Sequence, residues 1–225
     1  MRVFIKERAL TPSWDLVRPS VALLRKNIWP TIYLSFLPIL AMTVGSVMID
    51  ERNLRASIPG IIIVLVSIIW YFLTYPGFTY MQAKAARGKV LTPMESFKKG
   101  LPRFWQLIGM SLLSSLLIFV GLLAFIVPGL ILLRAFYLAP YYVVDRKLGP
   151  IEALKRSYED SKPVTGWIWG IIGVELVFGL IAGLFGRIPV IGYLFAIILS
   201  YPYIFAPALR YSEIVHKTKI PNVER

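Results

Sequence analysis

Five long stretches almost free of charge organise the chain. Ile28–Ile49, Ile58–Ala83, Phe104–Leu133 and Ile188–Leu209 hold no Asp, Glu, Lys or Arg, and Gly166–Gly186 holds one, Glu175. About 20 apolar residues in a helix cross roughly 30 Å of hydrocarbon, so each stretch is long enough to span a membrane. The run from Phe104 to Leu133 is too long for one helix, and Pro128-Gly129 punctuates it. Proline suits the first turn of a helix, where its missing N–H would be unpaired anyway. This predicts one helix to about Val127 and a second from Pro128 to Val144. The pattern predicts an all-α fold: a polytopic membrane bundle of six transmembrane helices, arranged as three hairpins in one domain over residues 1–225.

The polar connections alternate in charge. Six Lys and Arg precede Ile28, six lie between Lys84 and Arg103, five between Arg146 and Lys162, and four follow Leu209. The intervening connections carry Arg52 and Arg55, then none, then Arg187. Basic residues near span ends are retained in the cytoplasm, so the chain is expected to be a multi-pass cell-membrane protein with both termini cytoplasmic. Trp29, Trp105, Trp167 and Trp169 fall at the predicted cytoplasmic interface, where indole rings favour the headgroup zone. The first 27 residues lack an uninterrupted apolar core, and the first span is expected to act as an uncleaved anchor.

Three short segments share a pattern of apolar, basic, basic, small or polar, apolar. They are Leu24-Arg25-Lys26-Asn27-Ile28, Phe97-Lys98-Lys99-Gly100-Leu101 and Leu154-Lys155-Arg156-Ser157-Tyr158. An apolar residue precedes each by three positions: Val21, Met94 and Ile151. Apolar positions at i, i+3 and i+7 make a helix with one greasy stripe. Thr92-Pro93-Met94-Glu95 reads as a capping box, with Gly149-Pro150-Ile151-Glu152 a weaker version. Such helices should lie in the plane of the cytoplasmic headgroups, with Arg25, Lys26, Lys98, Lys99, Lys155 and Arg156 as candidate contacts to anionic lipid. Two spans follow each helix, the second interrupted by Pro76, by Pro140, and by Pro202 or Pro207. The unit implies repeats over about 20–83, 93–144 and 150–215. Tyr75, Tyr137, Tyr141, Tyr142, Tyr201 and Tyr203 cluster around those prolines and read as interface anchors.

The stretch Pro128-Gly129-Leu130-Ile131-Leu132-Leu133-Arg134, then Ala139-Pro140 and Val143-Val144-Asp145, continues into Leu148-Gly149-Pro150-Ile151-Glu152-Ala153-Leu154-Lys155-Arg156-Ser157. This segment resembles the uncharacterised bacterial YciC-type inner-membrane proteins. It is also similar to the membrane domain associated with some glycerophosphodiester phosphodiesterases. The resemblance implies the membrane architecture and an inner-membrane location. It implies no activity, because the phosphodiesterase chemistry of that group resides in a separate soluble barrel with His and acidic metal ligands.

Composition narrows the chemistry. The formal charge is +13, but the basic residues sit beside spans and face an anionic leaflet, which argues against nucleic acid as the partner. Without Cys there is no disulfide framework or thiolate nucleophile. His216 is the single histidine, so no metal cluster, catalytic relay or cofactor motif is legible, and no enzyme activity is expected. Ionisable groups inside a span are functional suspects, and there are two. Arg134 stands six residues into the fourth span, and Glu175 lies near the middle of the fifth. At 1.5 Å per residue they lie roughly 9 Å apart in depth, a candidate intramembrane ion pair.

Glu175 shares a helical face with Gly179, Ala182 and Gly186, small residues of the kind that let helices approach closely. Two readings remain. One is a non-catalytic membrane protein contacting anionic lipid, a membrane-protein partner or a second copy of itself through its basic helices. The other is a small transporter or channel with a path near Arg134 and Glu175.

Overall fold

The computed structural model describes residues 10–50, 53–185 and 199–217, and the regular structure among them is entirely helical. Five helical segments are long and apolar enough to cross a membrane: Ile28–Val47, Arg55–Ala85, Pro93–Ala124, Ile126–Asp145 and Pro150–Ile181. Half of the sixth expected span, Ile188–Leu209, lies outside the described residues. Chain order gives α1 (Val17–Lys26), α2 (Ile28–Thr31), α3 (Leu37–Val47), α4 (Leu54–Ala85), α5 (Pro93–Gly100) and α6 (Phe104–Ala124). α7 (Ile126–Phe136), α8 (Ala139–Asp145), α9 (Pro150–Ser161), α10 (Thr165–Phe185) and α11 (Ala206–His216) follow.

Proline shapes the spans, though not where periodicity placed every break. Between α2 and α3 the chain takes a π-helical turn at Ile32–Phe36, just before Pro38. A proline ring clashes with the carbonyl four residues back and forfeits that hydrogen bond, which a wider turn accommodates. The turn between α6 and α7 is the single extended residue Phe125, so α7 begins at Ile126 with Pro128 in its first turn. That boundary lies before the expected one at Val127–Pro128. The fourth span breaks after Phe136, and Pro140 opens α8.

Pro76 does not break α4, which continues through it to Ala85. Membrane helices tolerate proline where neighbouring helices and hydroxyl side chains compensate. Thr74 and Thr79 donate to the carbonyls of Trp70 and Tyr75 around it.

Glycine pairs set the closest helix contacts. A Cβ on Gly45 would come within 2.9 Å of the Gly60 carbonyl, joining α3 to α4. One on Gly100 would stand 2.4 Å from the Gly77 nitrogen, joining α5 to α4, and one on Gly121 would stand 3.0 Å from Gly129 Cα, joining α6 to α7. Small residues permit such approach where lipid supplies no hydrophobic drive. Gly166, Gly173, Gly179 and Gly183 of α10 show no such contact among the described residues.

The core gathers at one end of the bundle. Leu16, Leu107, Met110, Leu138, Val143, Ile168 and Tyr211 are buried together, where α8, α9 and α11 converge. Farther along, α4, α6 and α10 expose large apolar side chains, among them Leu65, Ile69, Leu112, Phe119, Leu180 and Leu184. Contiguous apolar surface on this scale requires an apolar environment.

Candidate functional site

The three basic pairs are exposed at Arg25 and Lys26 on α1, Lys98 and Lys99 on α5, and Lys155 and Arg156 on α9. The residue just after each pair is buried: Asn27, Gly100 and Ser157. The greasy stripe is only partly used by the protein. Leu154 is buried, while Ile28, Met94, Leu101 and Ile151 remain exposed beside the basic residues. α5 and α9 leave Met94 and Ile151 outside with their basic pairs, and beside the α1 pair the exposed apolar residue is Ile28, the first of α2.

Local bonds explain the starts of α5 and α9. Thr92 Oγ1 accepts from the Glu95 N–H at 3.2 Å, and the Gly149 N–H donates to Glu152 Oε2 at 3.4 Å. Two of the cations have partners. Lys99 Nζ lies 2.5 Å from Glu95, and Arg156 Nε lies 3.0 Å from Asp160.

Arg134 and Glu175 do not pair. The Arg134 side chain is buried and donates to the Ser161 carbonyl at 3.3 Å and to Thr165 Oγ1. The last carbonyls of a helix lack intrahelical partners and carry negative partial charge. Arg134 therefore caps the C-terminal end of α9, and its second partner, Thr165, lies ten residues before Glu175 along α10. Depth alone does not pair the two charges, because the end of α9 packs on α7 and offers Arg134 nearer acceptors.

Glu175 lines a cavity of about 230 Å³ instead, between α4, α8, α10 and the start of α11. Tyr75, Tyr137 and Tyr141 form part of its wall with Thr79, Gln82 and Pro207. The Tyr137 hydroxyl faces the Glu175 carboxyl, is buried, and lacks the geometry of a hydrogen bond. Tyr141 donates to Gln82 Oε1 at 3.2 Å, and Gln82 Nε2 donates to the Ile204 carbonyl at 2.7 Å. Tyr142 and Tyr203 belong to the core, against the expectation of interface anchors. Their hydroxyls donate to Asp160 at 2.5 Å and to the Ser13 carbonyl at 2.7 Å, inside the protein.

The chain matches no family model, no curated protein and no solved structure.

A polar hub that hydropathy gives no sign of joins Asp145 to His216. The Asp145 side chain is 2% exposed. One oxygen meets Lys84 Nζ at 3.1 Å and Arg87, and the other meets Tyr211 Oη at 3.2 Å and His216 Nε2 at 2.8 Å. Burial, with the Asp145 carboxylate beside it, pushes the Tyr211 phenol up from its ordinary value. The hub ties α4, α8 and α11 at the end of the bundle that holds the core.

Beside it, Arg210 is fully buried. It donates to Glu213 at 2.7 Å and to the Thr11 carbonyl at 2.6 Å. Burial pulls the Arg210 pKa down, opposed by Glu213. Thr11 Oγ1 also donates to Glu213 at 2.5 Å, so the two ends of the described chain are stitched together. Among the described residues no group of three or more His, Asp or Glu converges as a metal site.

Proposed function

We propose that the chain is a non-catalytic integral membrane protein that organises anionic lipid around its cytoplasmic face. In this reading it threads the bilayer six times as three hairpins, with both termini cytoplasmic. The sequence resemblance favours a bacterial inner membrane. The stitching of Thr11 to Arg210 and Glu213 supports termini on one side.

One observation carries the reading. α1, α5 and α9 each expose a basic pair with an exposed apolar residue nearby (Ile28 at the start of α2, Met94 and Ile151), and the small or polar residue after each pair is buried. An amphipathic helix of that kind binds by inserting its apolar face at the headgroup boundary while its cations attract anionic lipid. A cation near the surface of an anionic leaflet is worth about 1 kcal/mol. Arg25, Lys26, Lys98 and Lys155 have no ion-pair partner among the described residues, which leaves them for phosphate.

The test uses the native tryptophans as reporters, since Trp29 and Trp105 are exposed near these helices. In mixed vesicles, brominated phosphatidylglycerol should quench tryptophan fluorescence more than brominated phosphatidylcholine does. Replacing the three basic pairs with Gln should remove the difference. Equal quenching by both lipids in the unmodified protein would end the proposal.

The cavity at Glu175 favours a second reading, a small transporter or channel. Because Arg134 is engaged at the end of α9, such a path would rest on Glu175 alone. Discrete conductance steps in planar bilayers that Glu175→Gln alters would support a channel, and silent bilayers would remove it.

A further inference from the structure

The cavity has a chemistry that neither lipid organisation nor conduction requires. Among the described residues no Lys or Arg pairs with Glu175. A carboxylate in the middle of a span is costly without a counter-charge. Around it the donors are mostly spent: the Thr79 hydroxyl bonds to the Tyr75 carbonyl, Gln82 to Ile204, and Tyr141 to Gln82. Among the described residues the buried Tyr137 hydroxyl has no hydrogen-bond partner, and Tyr71 and Tyr75 add two further phenols to the lining. The remaining wall is aromatic and aliphatic, including Phe78 and Pro140.

Such a lining discriminates among ligands. An anion would meet a carboxylate, and a sugar would find few free donors. A hard metal cation needs six or more oxygen ligands, chiefly carboxylates and carbonyls, and one carboxylate with neutral phenols falls short. A diffuse organic cation needs one negative charge and aromatic neighbours, and the lining offers Glu175 with four tyrosines and Phe78. The space suffices, since a cavity of roughly 150 Å³ already accepts benzene and this one measures about 230 Å³.

We infer that the cavity binds an alkylammonium group, with Glu175 as its counter-ion and the rings of Tyr75, Tyr137 and Tyr141 as aromatic walls. The ammonium comes from a free organic cation or from an amine-headed lipid. Binding of either kind requires neither the basic helices nor passage across the bilayer.

The experiment titrates the full chain in uncharged maltoside micelles with phenyltrimethylammonium and with tert-butylbenzene, its neutral carbon isostere. Each titration is followed by calorimetry and corrected against empty micelles. The ammonium should bind saturably and about tenfold or more tighter than the isostere. Glu175→Gln should abolish that preference, whereas Tyr137→Phe should keep the preference because the ring remains.

Equal affinity for the two probes, absence of saturable binding, or unchanged affinity in a folded Glu175→Gln protein would each overturn the inference. If Glu175→Gln fails to fold, the comparison of probes on the unmodified protein decides alone. Displacement of the probe by added phosphatidylethanolamine would assign the ammonium to a lipid headgroup, and persistence of binding would assign it to a free cation.

Discussion

Single residues in this protein take their roles from which backbone end or carboxylate they reach, not from their depth in a span. Arg134 and Glu175 were both legible as unusual charges in apolar surroundings, because insertion penalises any ionisable group. Their partners were not legible. Arg134 reaches 27 and 31 positions along the chain, to the end of α9 and the start of α10. Asp145 offered still less. Its neighbours Arg146 and Lys147 made it look like a solvated loop residue, while its true partners lie 58 to 71 positions away. Asp145→Asn should cost about 2–3 kcal/mol, the scale of hydrogen bonds to charged groups, moderated because Lys84 and Arg87 stay partly solvated. Thermal unfolding in detergent should show a lowered midpoint. An unchanged midpoint would mean that the hub contributes no stability.

At the level of elements, the register of α1, α5 and α9 decides which side chains are free for lipid. Periodicity found the apolar stripe and the basic pair. It could not say that the protein would grip each helix one position past the basic pair, at Asn27, Gly100 and Ser157, because that choice depends on which neighbour comes closest. The Gly77–Gly100 crossing is the sharpest case. A methyl group at residue 100 would collide with backbone atoms of α4, which cannot rotate away. Gly100→Ala should therefore lower stability by about 2 kcal/mol or more, in the range of overpacking. Gly179→Ala meets nothing within 4 Å among the described residues and should be neutral or gain up to about 1 kcal/mol of helix propensity. Parallel denaturation curves of the two variants check this, and equal losses would contradict it.

For the whole molecule, orientation is the property on which the other readings depend. The chain lacks cysteine, so engineered single thiols report topology without background. Phe125→Cys, at the exposed turn between α6 and α7, should react with a membrane-impermeant maleimide on intact cells. Lys89→Cys, in the exposed connection between α4 and α5, should react only after permeabilisation. The reverse labelling would invert the molecule and place the basic pairs away from the cytoplasmic leaflet.

Sequence alone determined the class of this protein and the polarity of its surfaces. Uncharged runs long enough to cross hydrocarbon, and basic residues concentrated on alternate connections, are one-dimensional features that a bilayer reads directly. Only the tertiary structure decided which charges meet, because a membrane span presents every face to some neighbour and hydropathy does not rank those faces. The separation of Arg134 from Glu175, the burial of Asp145 and the cavity between α4, α8 and α10 all follow from contacts between helices far apart in the chain. Those contacts turn on a few tenths of an ångström, which composition and periodicity do not encode.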